Sequence, residues 1–318
     1  MEQSIKIEIL DEPDKCWNKR LQDSGMSSIY QTKEFGLARK LIGFSPQFLI
    51  FTNSNGKIIG QNLIFLSKHR RNLNRFLKSK SYNSQDWYYG PTILDGDYMN
   101  NISVFFIKHL LKTKSKIRGT TFPMGKFSFQ KNSLLNLKNY HTFILDLRKG
   151  HDDIWNSFEK NSLRKNIKRS SERGVIIQEI KRNDLENYLQ FLKKTNKIIP
   201  FKNEDDFYPW WKIMQSIGSR TMIGLYNDQI VSTTNFSFFG GYANEFTISV
   251  SELDRNQKLY SQDLLKWEFI KDLINKKFNF YDFSGVSINP TDSHEKGIFN
   301  YKKKWGGELI ISQLITNF

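Results

Sequence analysis

Two distant stretches of the chain repeat the same order of parts, and this constrains the fold more than any other feature. IFTNSNGKIIGQNLIF, residues 50–65, runs from an apolar strand through a short polar turn into a second strand. GLYNDQIVSTTNFSFF, residues 224–239, does the same. Asn-Gly and Asn-Asp at the turns are hairpin signals. The full first hairpin covers 45–68, and the second belongs to a longer strand–turn–strand–Gly-Gly–strand pattern over 221–251. Around them the hydrophobic period switches between two and 3.6 residues. VFFIKHLLKTKSK (104–116) reads as an amphipathic helix and YHTFILDL (140–147) as a strand. Residues 152–175 read as one helix that opens on acids and stops at Gly174, with a strand at 175–180. SQDLLKWEFIKDLINKK (261–277) is a helix with Leu264, Leu265 and Ile270 at core positions, and FNFYDFSG (278–285) is a strand. The expected class is therefore α/β, with mixed sheets flanked by helices and two similar units. No low-complexity linker marks the boundary; the repeat places it at 148–149, giving units 1–148 and 149–318. Two hairpins alike by chance would read the same way.

The 318 residues carry 48 Lys and Arg against 32 Asp and Glu, a net charge of +16. That excess suits polyanionic partners such as nucleic acid, anionic lipid or phosphorylated substrates. A lysine- and asparagine-rich proteome would produce the same bias. Cys16 is the only cysteine, so neither an intrachain disulfide nor a thiolate metal site can form. The opening MEQSIKIEILDEPDKCWNKR has acids and no apolar run, so a secretory signal is not expected. No apolar stretch of about eighteen residues occurs, and the expected location is the cytoplasm, with peripheral contact at an anionic inner membrane face.

Several chemistries lack their motifs. There is no phosphate-binding G-x-x-x-x-G-K-[ST] loop, no G-x-G-x-x-G after a strand and no G-x-S-x-G elbow. The five histidines show no H-x-x-x-H spacing, so no metal is expected. The Q/R-x-x-G-x-G/A run of simple acetyltransferases is not visible either. Two constellations remain. NSLRKNIKRSSERG (161–174) spaces Arg164 with Lys168, Lys165 with Arg169, and Arg169 with Arg173 four apart, along one broad helix face. It reads either as a solvated helix end favoured by the dipole or as a phosphate-binding strip. The other is YDFSGVSINPTDSHEKGIFNYKKKWGGEL (281–309), with three lysines, Lys302, Lys303 and Lys304, between Tyr301 and Trp305.

This last segment resembles the C-terminal signature of the Fem family of peptidoglycan-bridge aminoacyltransferases. There a strand ends in an acid, an aromatic and glycine, followed by a polar loop, an aromatic-lysine pair, then an aromatic and glycine. Here Asp282-Phe283-Ser284-Gly285 precedes a loop, Tyr301-Lys302 and Trp305-Gly306. SSIYQTKEFGLARK (27–40), DWYYGPTILD (86–95), LRKNIKRSSERGV and SQDLLKWEFI are similar to further family segments in the same order. The resemblance implies two tandem GNAT-like domains, without the coiled-coil arm that some members insert, the C-terminal end packing back on the first domain. It implies an aminoacyltransferase that moves an aminoacyl group from charged tRNA to an amine of a nucleotide- or lipid-linked peptidoglycan precursor, as a monomer and with no cofactor beyond the tRNA co-substrate.

The implied roles fall on particular residues. Lys302, beside Tyr301 where phenylalanine is usual, stabilises the oxyanion of the tetrahedral intermediate. Arg39, with Lys40 next to it, and Lys212 contact the acceptor's phosphates. Arg164, Lys165, Lys168, Arg169 and Arg173 form the donor tRNA strip. Some members carry a carboxylate before a proline as a base; here Phe122 precedes Pro123, which leaves the base unassigned. Lys303 and Lys304 are expected in solvent and Trp305 in the core, while Asp282 reads equally as a cap on the strand-end turn or as a site residue.

The chemistry is consistent with that assignment. Exchange of an activated ester for an amide is downhill, so no ATP site is required. A preorganised cation at the oxyanion lowers the barrier by roughly 3–4 kcal/mol. Two other classes stay open: a GNAT-type N-acyltransferase using acyl-CoA or acyl-carrier protein on an amino sugar, and a non-enzymatic RNA-binding module.

Overall fold

The computed structural model describes residues 4–26, 28–71 and 80–318, leaving aside the side chains of 68–71 and 80–82. Two compact units emerge, Met1–Tyr140 with Ile311–Phe318, and His141–Ile310.

The first unit runs β1 (Ile5–Leu10), α1 (Trp17–Asp23), α2 (Lys33–Leu41), β2 (Ser45–Asn53), β3 (Ile58–Arg71), β4 (Lys80–Trp87), β5 (Thr92–Ile93), α3 (Met99–Leu111) and β6 (Lys116–Thr120). The β2–β3 hairpin forms where Asn-Gly stands, with Gly56 at φ 76° supplying the turn. Pairing is antiparallel along β1-β2-β3-β4, then parallel from β4 to β6, with α3 in the crossover. The last residues of the chain, Leu314–Thr316, pair antiparallel with Arg118–Thr120. α3 starts five residues earlier than the periodicity suggests, because Asp95 caps a single 3-10 turn that leads into it. It stops at Leu111 because Thr113 and Ser115 are held by the Gln85 amide, which turns the chain toward β6. The core gathers Phe51, Trp87, Phe106 and Phe129. Trp87 lies flat against Gly119, where a Cβ would fall 1.8 Å from its ring.

The second unit runs β7 (Asn136–Asp146), α4 (Gly150–Ser157), α5 (Lys165–Glu172), β8 (Ile176–Glu179), α6 (Leu185–Lys194), α7 (Glu204–Ser216), β9 (Arg220–Tyr226), β10 (Gln229–Phe239), β11 (Tyr242–Val250), α8 (Glu252–Gln257), α9 (Ser261–Asn275), β12 (Phe280–Val286), α10 (Ser293–Lys303) and the start of β13 (Glu308–Thr316). Strand order is β7-β12-β11-β10-β9-β8. Asn227 and Asp228 both take positive φ, which matches the right-handed twist of the β9–β10 hairpin. β11 returns parallel to β12 through α9, whose buried Leu264, Leu265, Phe269 and Ile270 cover the sheet. The stacked rings of Phe236 and Phe269, 3.8 Å apart, anchor that contact.

Two expectations need correction. Residues 152–175 are not one helix. The chain is extended at Phe158 and Glu159, then makes a π turn over Lys160–Arg164 before α5. The Glu159 N–H donates to the Lys304 carbonyl (2.9 Å) instead of continuing α4. The polar loop expected from Gly285 to Tyr301 is also mostly helix, since Asp292 accepts the Glu295 N–H (2.8 Å) and starts α10 there. Residues 181–220 hold the short α6 and α7, packed through Tyr188 and Phe207, and no coiled coil is present among the described residues.

The Gly-Gly pair after Trp305 marks a close backbone crossing. Gly306 has φ 70°, and a Cβ there would lie 2.6 Å from the Ser157 carbonyl. Gly306→Ala is therefore expected to cost roughly 2 kcal/mol or more, from left-handed backbone plus a clash that neither strand end can relieve. Denaturant melts of wild type and variant would measure it.

Candidate functional site

The site of the second unit begins with two parallel strands that part. β11 and β12 share rungs only at Tyr242–Phe280, Ala243–Tyr281 and Asn244–Asp282. Beyond them β11 bulges, leaving Thr247 unpaired at φ 49° while the neighbouring β10 register shifts. β12 turns at Ser284, a non-glycine residue at φ 61°. Asp282 holds that turn. Wholly buried, it accepts the Ser284 N–H (2.7 Å) and the Tyr242 hydroxyl (2.7 Å), and the Thr142 hydroxyl bonds to it. It is thus the turn cap read from the sequence, with two further donors from neighbouring strands.

Parting strands leave main-chain groups in want of partners, and burial makes that costly. The carbonyls of Ser284 and Gly285 accept from Lys302 Nζ at 2.9 and 2.8 Å. Lys302 sits in the last turn of α10 and is only 8% exposed. Burial pulls its pKa below the ordinary lysine value, against the pull of Glu245 and Asp282 and with that of Lys266. Two of the ammonium's three N–H groups are engaged by these carbonyls.

A second lysine lies behind it. Lys266, on α9, is fully buried and bonds both carboxylate oxygens of Glu245, at 2.9 and 2.8 Å. Glu245 is the first β11 residue past the last shared rung. It also accepts the Tyr281 hydroxyl (2.6 Å), and its main-chain carbonyl accepts the Ser284 Oγ (2.7 Å). The Lys266 ammonium stands 4.5 Å from the centre of the Tyr301 ring.

The lysine run resolves into three different roles. Lys303 is exposed, as expected. Lys304 is not a solvated charge: its Nζ contacts both oxygens of buried Asp263 (3.1 and 3.0 Å) and lies 4.4 Å from the Tyr301 ring. It leaves the surface because its carbonyl is engaged by Glu159, at the close crossing that Gly306 permits. Trp305 is in the core. The Tyr301 hydroxyl is buried and makes no hydrogen bond of good geometry; burial first, then the charges of Asp263 and Glu245, raise its pKa well above the usual tyrosine range.

The other candidates lie apart from this cluster or on its fringe. Arg39 and Lys40 are in the last turn of α2, in the first unit. The Arg39 guanidinium packs 3.5 Å from the Phe44 ring centre, and its buried Nε has no hydrogen-bond partner. Burial lowers its pKa, opposed by Tyr88 and Asp86. Lys40 is exposed, as is Lys212 on α7 in the second unit. In the basic strip, Lys165 and Lys168 face solvent, Arg169 is half-buried, and Arg164 belongs to the π turn. Arg173 bonds the Gln257 carbonyl (2.7 Å) and that of Lys258, so it fastens α5 to the end of α8. Asn166 reaches Asp263 (3.0 Å), which ties the strip to Lys304. Sequence reading missed Glu245, Lys266 and Asp263. Their one signal was charge inside apolar runs, as in LLKWEFI.

No family model matches the sequence, and no curated protein matches it. Among solved structures, FemX is similar over 96% of each chain, with TM-score 0.70 at 14% identity. L-PGS from Bacillus licheniformis is similar over 97% of this chain and 93% of that one, with TM-score 0.55 at 13% identity. A tandem GNAT protein from the clavulanic acid biosynthesis pathway covers 98% of each chain, with TM-score 0.53 at 10% identity. These likenesses establish the fold: α/β, a Fem-like tandem GNAT arrangement.

A buried ion pair broken on one side leaves a charge without compensation. Glu245→Gln is expected to destabilise the protein by about 3–5 kcal/mol, and Lys266→Met with Glu245→Gln to recover most of that loss. Equilibrium urea unfolding of the single and double variants would test both.

Proposed function

We propose that this chain, with the tandem GNAT fold it shares with FemX, is an acyltransferase that forms an amide, and specifically an aminoacyltransferase using charged tRNA as donor. One observation carries the reading: the Lys302 ammonium, held by two main-chain carbonyls at the parting of β11 and β12. An amine attacks the carbonyl carbon of an activated ester; the C–N bond forms, the ester C–O bond breaks, and the ribose hydroxyl leaves as the amine loses its proton. Negative charge develops on the carbonyl oxygen. The third N–H of Lys302 supplies a fixed donor for it, in a site already paid for by folding. Tyr301 shapes the wall behind it.

The choice of donor turns on a helix end. An acyl-CoA brings a pyrophosphate, and an open helix N-terminus is the readiest place for one. The N-terminus of α9, which follows β11, is closed by the chain itself. Asp254 accepts the Ser261 N–H (3.0 Å) and bonds its hydroxyl, and Asp263 occupies the first turn. Asp254, bonded across that N-terminus, occupies the place a diphosphate would take, which favours charged tRNA over acyl-CoA. Lys165, Lys168 and Arg169 supply phosphate contacts for the tRNA, with Arg164 beside them and Arg173 bracing the strip. Arg39, with Lys40, is the cation for the acceptor's phosphates, as is Lys212. The acceptor is an amine of a phosphorylated cell-wall precursor. No helix among the described residues is long and apolar enough to cross a membrane, and a lipid-linked acceptor would be met at the membrane surface.

The purified protein should form amide from charged tRNA and not from acyl-CoA, with Lys302→Met slowing transfer about a hundredfold while its melting curve stays cooperative. Turnover from acyl-CoA alone would sink the tRNA assignment. The ammonium is the active form, so the rate should fall as pH rises through the Lys302 pKa, which burial places below 10.5. A rate profile across alkaline pH checks this: the falling limb is expected in wild type and absent from the residual rate of Lys302→Met.

A further inference from the structure

Fully buried charge on a core-facing helix position calls for a reason. Apolar residues of similar volume in place of a buried ion pair are commonly neutral or stabilising. Packing alone therefore does not require Lys266 and Glu245. Their placement gives the reason. Glu245 stands one residue past the last rung shared by β11 and β12, where β12 is paired on its β7 side alone. There it engages β12 twice, through Ser284 Oγ on its main-chain carbonyl and Tyr281 Oη on its carboxylate. Ser284 in turn offers Lys302 one of its two carbonyl partners, from a left-handed conformation that the neighbouring bonds must hold. Lys266 fixes the Glu245 carboxylate from α9 and fills the space beneath Tyr301, the chain neighbour of Lys302.

Building on the aminoacyltransferase reading, we infer that the Glu245–Lys266 pair is the positioning element of Lys302: with Asp282, it braces the turn of β12 whose carbonyls aim the ammonium. The charged groups that face Lys302 are Glu245 from β11, Lys266 from α9 and Asp282 from β12; His141 lies on β7 opposite Val286, next to Gly285. Glu245 favours the charged lysine and Lys266 opposes it. Neither residue touches the reacting atoms, and both act through Lys302.

The double variant Lys266→Met with Glu245→Gln separates this role from simple stability, because it removes both charges together and is expected to fold. The titration of Lys302 is read by NMR of protein labelled in its lysine side chains, assigned with Lys302→Arg, beside the rate of transfer from charged tRNA. The expected result for the double variant is near-normal melting, a Lys302 midpoint and an alkaline limb displaced together from wild type, and a kcat at least tenfold lower. Glu245→Gln should displace the midpoint to lower pH, even where its stability has fallen. A stable double variant with a wild-type Lys302 midpoint and wild-type kcat would overturn the inference. That outcome is distinct from failure of the functional reading, in which Lys302→Met itself leaves the rate untouched.

Discussion

Much of the second unit depends on a parallel strand pair that stops after three rungs. Once β11 and β12 part at Asn244 and Asp282, their main-chain groups must be satisfied by something other than a ladder. Asp282, two residues back, takes the Ser284 N–H, the Glu245 carbonyl takes the Ser284 hydroxyl, and Lys302 donates to the carbonyls of Ser284 and Gly285. The helices follow from those needs. α10 must end where its lysine can reach the turn, α9 must bring Lys266 beneath it, and the Gly306 crossing must let Lys304 fold inward. A defect in the sheet thus becomes a buried, fixed cation.

Such a cation differs physically from one in solvent. A lysine in water makes its hydrogen bonds with solvent, which must reorganise when charge appears on a neighbouring oxygen. Lys302 has its geometry set in advance by two carbonyls, in a place of low dielectric. Burial weakens its hold on the proton, so the flanking carboxylates matter for keeping it charged. The proposed choice between the two donor classes rests on electrostatics as well. A helix N-terminus already bonded to Asp254 is a poor host for a diphosphate, whereas exposed cations on α5 suit a long anionic chain.

The repeat of strand, turn and strand made the two-unit α/β plan legible, because hairpin turns are local chemistry: Gly56, Asn227 and Asp228 adopt backbone conformations few other residues tolerate. The lysine run was legible in part. Resemblance to the Fem signature singled out Lys302, and Trp305 read as core from its bulk and apolar ring. Neither signal could place Lys304, because its partner Asp263 is distant in sequence and the inward turn depends on Glu159, on another element. The break at Phe158 escaped for the same reason: 152–175 carries a sound helical pattern, and a tertiary bond to Lys304 overrides it. Glu245 and Lys266 were hidden because strand and helix periodicity sort residues by polarity, and a matched buried pair violates both patterns at once.

The central claim is that Lys302 recognises the charge of the transition state rather than the substrate. A phosphonate that mimics the tetrahedral intermediate of aminoacyl transfer tests it most directly, measured by calorimetry beside a planar amide analogue of the same donor. Lys302→Met should weaken phosphonate binding by about the factor lost in kcat/KM, a hundredfold or so, and leave the amide analogue's affinity nearly unchanged. Equal loss for both analogues, or none for the phosphonate, would contradict the account.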